Sequence, residues 1–315
     1  MELDFEQPLR DLQAEIAALE ERRRKGDSAA SARIASLRRK VRAETARLYD
    51  ALTPWQTVQV ARHPGRPTVA DYAHKACDEF IELHGDRCDG DDPAILGGLA
   101  RIGDTRFILL GHRKGATVEE NIRSNFGMAN PEGFRKALRL MKLAAKFGIP
   151  VVTLVDTPGA YPGQTAEEHG IAEAIGRNLM EAFAVETPIL TIITGEGGSG
   201  GALGIAVGDR VLMLEHAVYS VISPEGCASI LWRDGAKAPE AAAALKITSK
   251  DLLALKVIDG IVPEPGGGAH AAPDEMIATM RETIPENLRL LAGSSTGRLL
   301  DARYRKYAAL GRYAR

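Results

Sequence analysis

Residues 191–209, TIITGEGGSGGALGIAVGD, decide how this chain is read. They begin inside residues 188–194 (PILTIIT), a run that is apolar, β-branched and too short for a helix, and so reads as a buried strand. Six glycines follow between Gly195 and Gly204, and the strand is expected to stop at Gly195. From Ala202, the residues Leu203, Ile205, Ala206 and Val207 suit a short buried helix that Gly208 and Asp209 end. A strand, a glycine turn and a helix N-terminus leave unpaired N–H groups facing one point, and the helix dipole adds partial positive charge there. Such a point holds an anion or a developing oxyanion.

Three chemistries use that construction. Residues 195–200 (GEGGSG) fit the G-x-G-x-x-G dinucleotide pattern, with Glu215 about where a ribose-binding acid falls. The helix behind them is nevertheless short for a crossover of the usual dozen or more residues. Residues 197–201 (GGSGG) fit the G-x-S-x-G nucleophile elbow. Asp234, Asp259, His216 and His270 lie downstream of it, but no segment singles out an acid–histidine pair, and Ser199 also suits a tight turn simply as a small residue. The third chemistry is an oxyanion site made of backbone amides, with no side-chain nucleophile.

The flanking sequence repeats one unit. A strand over residues 150–155, a glycine loop, a helix over 166–183, the strand over 188–194, the second glycine loop, its helix and a strand over 210–214 give an α/β domain with parallel pairing. Ligands of such sheets bind at the C-terminal ends of the strands, where both loops lie. In the first loop, residues 156–163 (DTPGAYPG), Pro158 and Pro162 fix the shape, and Tyr161 suits either stacking on a flat group or packing. Upstream, residues 94–102 and 106–111 form a hairpin around Gly103 and Asp104. It leads to His112, Arg113, Lys114 and Gly115, a cationic loop that suits an anion site and an exposed turn equally well. Thr68 caps a helix expected to reach about Leu83. The carboxylates of Asp89, Asp91 and Asp92 lack the ligand order of a calcium loop, so no metal is assigned. Residues 132–147 form an amphipathic helix that Gly148 stops. Beyond the second glycine loop, a strand over 218–222, helix starts at Ser223 and Thr248, and a helix over 273–291 follow.

Residues 8–50 read as a helical hairpin. Leu9, Leu12, Ile16 and Leu19 make one stripe, and Ile34, Leu37, Val41 and Leu48 another, with Gly26, Asp27 and Ser28 as the break. The basic runs at 22–25 and 38–40 are solvated faces. The expected organisation is a hairpin arm over residues 1–60, able to bind a partner or brace its own chain, a catalytic domain over 61–292 and a basic, aromatic tail over 293–315. A length of 315 residues with 45% apolar content fits one large domain with an appendage. The formal charge of −2, from 40 basic and 42 acidic residues, calls for no nucleic acid. Three scattered cysteines without C-x-x-C spacing argue against a disulfide framework or a zinc ribbon. No apolar run approaches the roughly 18 residues of a membrane span, and the N-terminus lacks a secretory core, so a cytoplasmic location off the membrane is expected.

Ser199, Gly200, Gly201 and Ala202, the 156–163 loop before them and residues 220–232 (SVISPEGCASILW) after them closely resemble the alpha-subunit family of the bacterial acetyl-coenzyme A carboxylase carboxyltransferase. Residues 5–8 (FEQP), 125–128 (NFGM), 131–133 (PEG) and 263–270 (PEPGGGAH) belong to the same likeness, which spans nearly the whole chain. Residues 22–36 and the tail depart from it. The resemblance implies a crotonase-like ββα spiral of α/β class behind the helical hairpin, and half of a transferase. It implies a beta subunit that carries the zinc ribbon and binds the coenzyme A thioester, two copies of each chain in a heterotetramer, and biotin carboxylase in the wider complex. Carboxybiotin arrives on a separate biotin carboxyl carrier protein, this chain itself binds no cofactor, and the product is malonyl-CoA, which commits carbon to fatty acid biosynthesis. Carried over residue by residue, the Gly200 and Gly201 amides polarise the biotin ureido carbonyl. Gly198 and Ala202 share that role as neighbours, and Gly159, Ala160 and Tyr161 bind substrate. On this reading the substrate supplies its own base, and a catalytic His or Cys is not needed.

Overall fold

The computed structural model describes residues 2–25, 27 and 29–311. Gly26 and Ser28, two of the three residues at the expected hairpin break, lie outside them, as do residues 312–315. On either side of the break the apolar stripes form α1 (Gln7–Arg24) and α2 (Ala30–Asp50). Arg33 and Arg38 bridge to Glu15 and Glu20 at 2.8 and 2.7 Å, while Arg22 pairs with Asp27, and Arg24 and Lys25 with Glu21. Much of the basic charge is therefore matched within the hairpin. Exposed pairs contribute at most about 1 kcal/mol each, so the arm is held by its apolar root, where Leu3, Tyr49 and Val60 are buried together.

Thr53 caps α3 (Pro54–Ala61) and Thr68 caps α4 (Val69–Asp71), each through a reciprocal capping box. The helix expected to reach Leu83 ends instead at Ala76, after a π turn over Tyr72–Ala76. Glu79–Glu82 is an edge strand, β1, paired antiparallel with Gly98 to Arg101. Its four residues, EFIE, alternate polar and apolar with a period of two, a signal too short to stand out behind a well-capped helix start.

The hairpin strands are β2 (Ile95–Ile102) and β3 (Thr105–His112), in antiparallel register around Gly103 and Asp104. After α5 (Val118–Arg123) and α6 (Pro131–Phe147), which Gly148 ends at φ +63, the chain enters β4 (Val151–Thr157). The single helix expected over 166–183 is two, α7 (Gln164–Glu168) and α8 (Ile171–Ala182), because Gly170 turns at φ +81 between them. Next come β5 (Ile189–Gly198), α9 (Ser199–Ala206), β6 (Arg210–Leu214) and β7 (Val218–Ser220). The helices α10 (Pro224–Trp232), α11 (Ala238–Leu245) and α12 (Ser249–Ala254) precede β8 (Gly260–Val262). Finally α13 (Pro273–Leu291) runs as expected. Within the stretch expected as a tail, α14 (Thr296–Ala308) packs back on the chain through the buried Arg303.

The sheet order is β1-β2-β3-β4-β5-β6-β8, antiparallel as far as β3 and parallel from β3 onward, with β7 joining the far end of β5. Residues of β3, β4 and β5 are buried along almost their whole length, together with Leu140, Met141 and Ala144 of α6 and Met276, Met280 and Ile284 of α13. That is the pattern of a parallel sheet covered on both faces. Among the described residues, no helix is long and apolar enough to cross a membrane.

At the decisive stretch the structure differs from the sequence reading. The strand runs on through Gly195, Glu196 and Gly197 to Gly198, and the helix begins at Ser199 rather than Ala202. The glycines continue the strand because it has partners there on both sides. Gly197 is in register with Thr157 of β4 after a register shift, and Glu196, Gly197 and Gly198 pair with Val218, Tyr219 and Ser220 of β7. A Cβ on Gly195 would lie 2.4 Å from a carboxylate oxygen of Asp156, and one on Gly197 2.6 Å from the Tyr219 ring. These glycines serve close neighbours, and not a turn.

Candidate active site

The two glycine loops meet where β4 and β5 end. A Cβ on Gly198 would stand 2.1 Å from the Pro158 carbonyl oxygen, and one on Gly201 would stand 2.2 Å from the Gly159 carbonyl carbon and 2.4 Å from the Ala160 nitrogen. Both are backbone-on-backbone approaches that exclude any side chain. Gly200 is different, since its Cβ would meet only Ile175 at 3.6 Å, an ordinary contact. Between strand and helix, Ser199 takes φ +50, a left-handed conformation that costs a non-glycine residue about 1–2 kcal/mol.

That sharp turn sets which amides are available. Gly198 offers α9 no side-chain cap. The N–H groups of a helix N-cap and its first three residues have no acceptor inside the helix, and here they belong to Gly198, Ser199, Gly200 and Gly201. Gly198 lies in the β5 ladder, and Gly200 and Gly201 are the first-turn donors beyond that pairing. The Ala202 N–H is the first placed to bond back within the helix. In the facing loop, the Gly159 N–H donates to Thr157 Oγ1 at 3.1 Å, and the Tyr161 N–H donates to the Ala129 carbonyl at 3.0 Å. Ala160 and Tyr161 also pack, half-buried, against the cluster of Ala94, Ile95, Ala129 and Phe134. The structure thus brings Gly159 and Ala160 against Gly201, and it packs part of Tyr161 against that cluster.

Residues 2–311 match the family described as acetyl co-enzyme A carboxylase carboxyltransferase-like. The chain belongs to this family. The acetyl-coenzyme A carboxylase carboxyl transferase subunit alpha of a Thermus thermophilus strain is 52% identical over 314 residues, covering 100% of this chain and 99% of the relative. Its counterpart in Synechococcus sp. (strain CC9311) is 52% identical over 311 residues, covering 99% and 94%. Among solved structures, transcarboxylase 12S superposes with a TM-score of 0.57 at 19% identity, covering 82% of this chain and 46% of that one. The beta subunit of geranyl-CoA carboxylase from P. aeruginosa gives 0.54 at 17% identity, covering 84% and 47%. At such identities these two structures speak for the fold alone, a crotonase-like α/β architecture.

For this carboxyltransferase family member the two competing patterns in the glycine stretch lose their structural context. The first two glycines of the dinucleotide pattern lie inside β5, and the Glu215 carboxylate accepts from the Glu264 N–H. Beside Ser199 opens a cavity of about 250 Å³ lined by Leu203, Val211, Tyr219, Val221, Leu252 and Tyr307 among others, and among the described residues its wall holds no histidine or carboxylate. A nucleophilic serine would have no base there.

The carboxyltransferase chain also carries a partly buried charge cluster that its sequence does not announce. Lys114 reaches Asp156 at 2.7 Å and Glu196 at 3.5 Å, and Arg62 joins Glu196 at 2.6 Å to Glu225 at 2.5 Å. Burial alone would push the Lys114 ammonium down, but Asp156 and Glu196 outweigh it and raise its pKa. The cationic loop is therefore neither an exposed turn nor a free anion site, because its lysine meets the protein's own carboxylates and Arg113 meets Glu82 at 2.7 Å. Asp89, Glu132 and His169 bring ligand atoms within 4.8 Å of one another. Arg135 already stands among them, bonded to Asp89 at 3.3 Å and Glu132 at 3.0 Å, so the place of a cation is filled by a side chain.

Proposed function

We propose that this chain is the alpha half of an acetyl-coenzyme A carboxylase carboxyltransferase, which moves a carboxyl group from biotin to acetyl-CoA and so makes malonyl-CoA. One observation carries the reading. In a chain of this family, the first-turn N–H groups of α9 are left without intrahelical acceptors beside the 157–161 loop, with no side chain on residue 200 or 201 to cover them. That donor set fits the ureido oxygen of biotin.

The Gly200 and Gly201 N–H groups bind that oxygen and meet the negative charge growing on it as the carboxyl group leaves. Fixed donors aimed at developing charge are worth roughly 10² to 10³ in rate apiece. Biotin, carried on a separate carrier protein, supplies the carboxyl group and afterwards the base that takes the acetyl proton. A beta subunit binds the coenzyme A thioester and holds the zinc, in a cytoplasmic heterotetramer of two chains of each kind that works with a biotin carboxylase. This chain is assigned no metal or cofactor of its own.

The test is carboxyl transfer between malonyl-CoA and free biotin by this chain alone, its beta subunit alone, and the two mixed. Activity confined to the mixture supports a half-enzyme, and silence in a verified complex refutes it. In the active mixture Ser199→Ala leaves transfer largely intact, because the Ser199 side chain takes no part. A folded but inactive Ser199→Ala complex would return the nucleophile reading to favour.

A further inference from the structure

Beneath the glycine loops lies a histidine that the mechanism above does not use. His112 ends β3, is 1% exposed, and its Nε2 lies 3.2 Å from the Gly201 carbonyl oxygen, 89 residues further along the chain. A carbonyl only accepts, so Nε2 carries the proton and donates. Burial pushes the imidazole down to about 4, which leaves the ring neutral and Nδ1 a bare acceptor. Among the described residues Nδ1 has no partner. An unmatched buried acceptor destabilises by roughly 1–3 kcal/mol, a penalty that an aliphatic residue would avoid at the end of this apolar strand. What the imidazole does have is its bond to Gly201.

The sequence of α9 explains why that bond matters. Glycine in a helix is less favourable than alanine by about 1 kcal/mol, and here two adjacent glycines fall in a first turn without a side-chain cap. The turn that presents the amides is thus the part of α9 with the least support of its own. His112 pins it from a strand inside the sheet, while the Gly159 and Ala160 backbone blocks Gly201 from another side. A second tie fixes the facing loop. Asp156 Oδ1 accepts from the Glu196 N–H at 2.9 Å and from Lys114 Nζ at 2.7 Å, joining the root of that loop to β5 and to the residue two places after His112.

We propose, on the reading that Gly200 and Gly201 bind the ureido oxygen, that His112 is a positioning residue of carboxyl transfer. Its Nε2–H holds the Gly201 carbonyl and thereby keeps the first-turn amides of α9 aimed at that oxygen. His112 does not touch the reacting atoms. Loss of its hydrogen bond relaxes the geometry in which charge is stabilised, so the effect falls mainly on kcat rather than on KM.

The experiment uses the complex reconstituted with its beta subunit, assayed from malonyl-CoA to free biotin. His112→Gln places a side-chain N–H at about the reach of Nε2, whereas His112→Asn is equally polar and too short. The Asn variant is expected to lose about tenfold to a hundredfold in kcat, with KM for biotin held within about twofold, and the Gln variant to recover most of the loss. An Asn variant as fast as wild type sinks the proposal. So does a Gln variant as slow as Asn, which would make His112 a matter of shape. Should the Asn variant not assemble, Gln decides alone, with kcat within about threefold of wild type in support and a loss beyond about tenfold against. An inactive wild-type complex is a distinct result, which removes the functional reading first and this proposal with it.

Discussion

Gly201→Ala is expected to lower carboxyl transfer by roughly 10² to 10³-fold, the scale of losing an oxyanion donor, and Gly201→Val to abolish it. A side chain that kept biotin away would be one cause of such a loss. The structure assigns a different cause. The first atoms a Cβ would meet are the Gly159 carbonyl carbon at 2.2 Å, the Ala160 nitrogen at 2.4 Å and the Gly159 oxygen at 2.5 Å. All three are backbone, and the Gly159 carbonyl is itself held by Thr157 Oγ1 at 2.7 Å, so no side-chain rotation relieves the clash. Either the loop moves out or the first turn of α9 unwinds, and both misdirect the amides. Displacements of about 1 Å suffice for a hundredfold loss. The control is Gly200→Ala, whose Cβ would make an ordinary contact with Ile175 at 3.6 Å and add helix propensity of about 1 kcal/mol. It should assemble and melt no lower than wild type. Steady-state transfer by the assembled complexes, with melting curves alongside, checks both, and a Gly201→Ala complex of normal rate would show that the two loops need not touch.

Most of the architecture is legible in the sequence because it rests on strong local signals. The β2–β3 hairpin, β4, the start of β5, α6 with its αL glycine and α13 each have a clear period or a named terminator. Errors fall where tertiary pairing overrides local preference. Gly195, Gly197 and Gly198 read as a turn by composition, yet β4 and β7 flank them and make them strand. Residues 79–82 read as helix until β2 pairs with them. Gly200 and Gly201 are legible as candidate donors, since glycines between a strand and an apolar helix announce close approach. The residues that brace them are not. His112 acts through a carbonyl 89 residues away, and the Lys114, Asp156 and Glu196 cluster joins three distant stretches of chain. Contacts of that kind arise only when the sheet brings β3, β4 and β5 side by side.

Arg303→Ala is expected to destabilise the chain by about 3–5 kcal/mol, the range for breaking a buried ion pair from one side. The Arg303 guanidinium donates to both carboxylate oxygens of Asp209, at 2.9 and 2.8 Å, and to the carbonyls of Ala182, Val185 and Thr187 at 2.7, 2.8 and 2.9 Å. Asp209 also accepts from the Ile189 N–H at 2.7 Å. One side chain of α14 therefore joins the end of α8, the entry to β5 and the turn after α9. Truncation leaves a buried carboxylate without its counter-charge and takes a donor from three carbonyls, of which Ala182 keeps the Val185 N–H at 3.3 Å. For a domain somewhat smaller than this, each kcal/mol moves the melting temperature by about 2–4 °C, so a fall of roughly 10 °C is expected in a thermal melt. Replacing Asp209 by Asn in the Arg303→Ala background should recover part of that fall, because it removes the stranded charge. The kcat of assembled complex at 25 °C should change little by comparison, since Arg303 braces the N-terminal end of β5 while the glycine loops stand at its C-terminal end. A melt within about 2 °C of wild type would mean that Arg303 contributes almost nothing to the fold. A large loss of kcat without a loss of stability would instead link the start of β5 to the amides at its end.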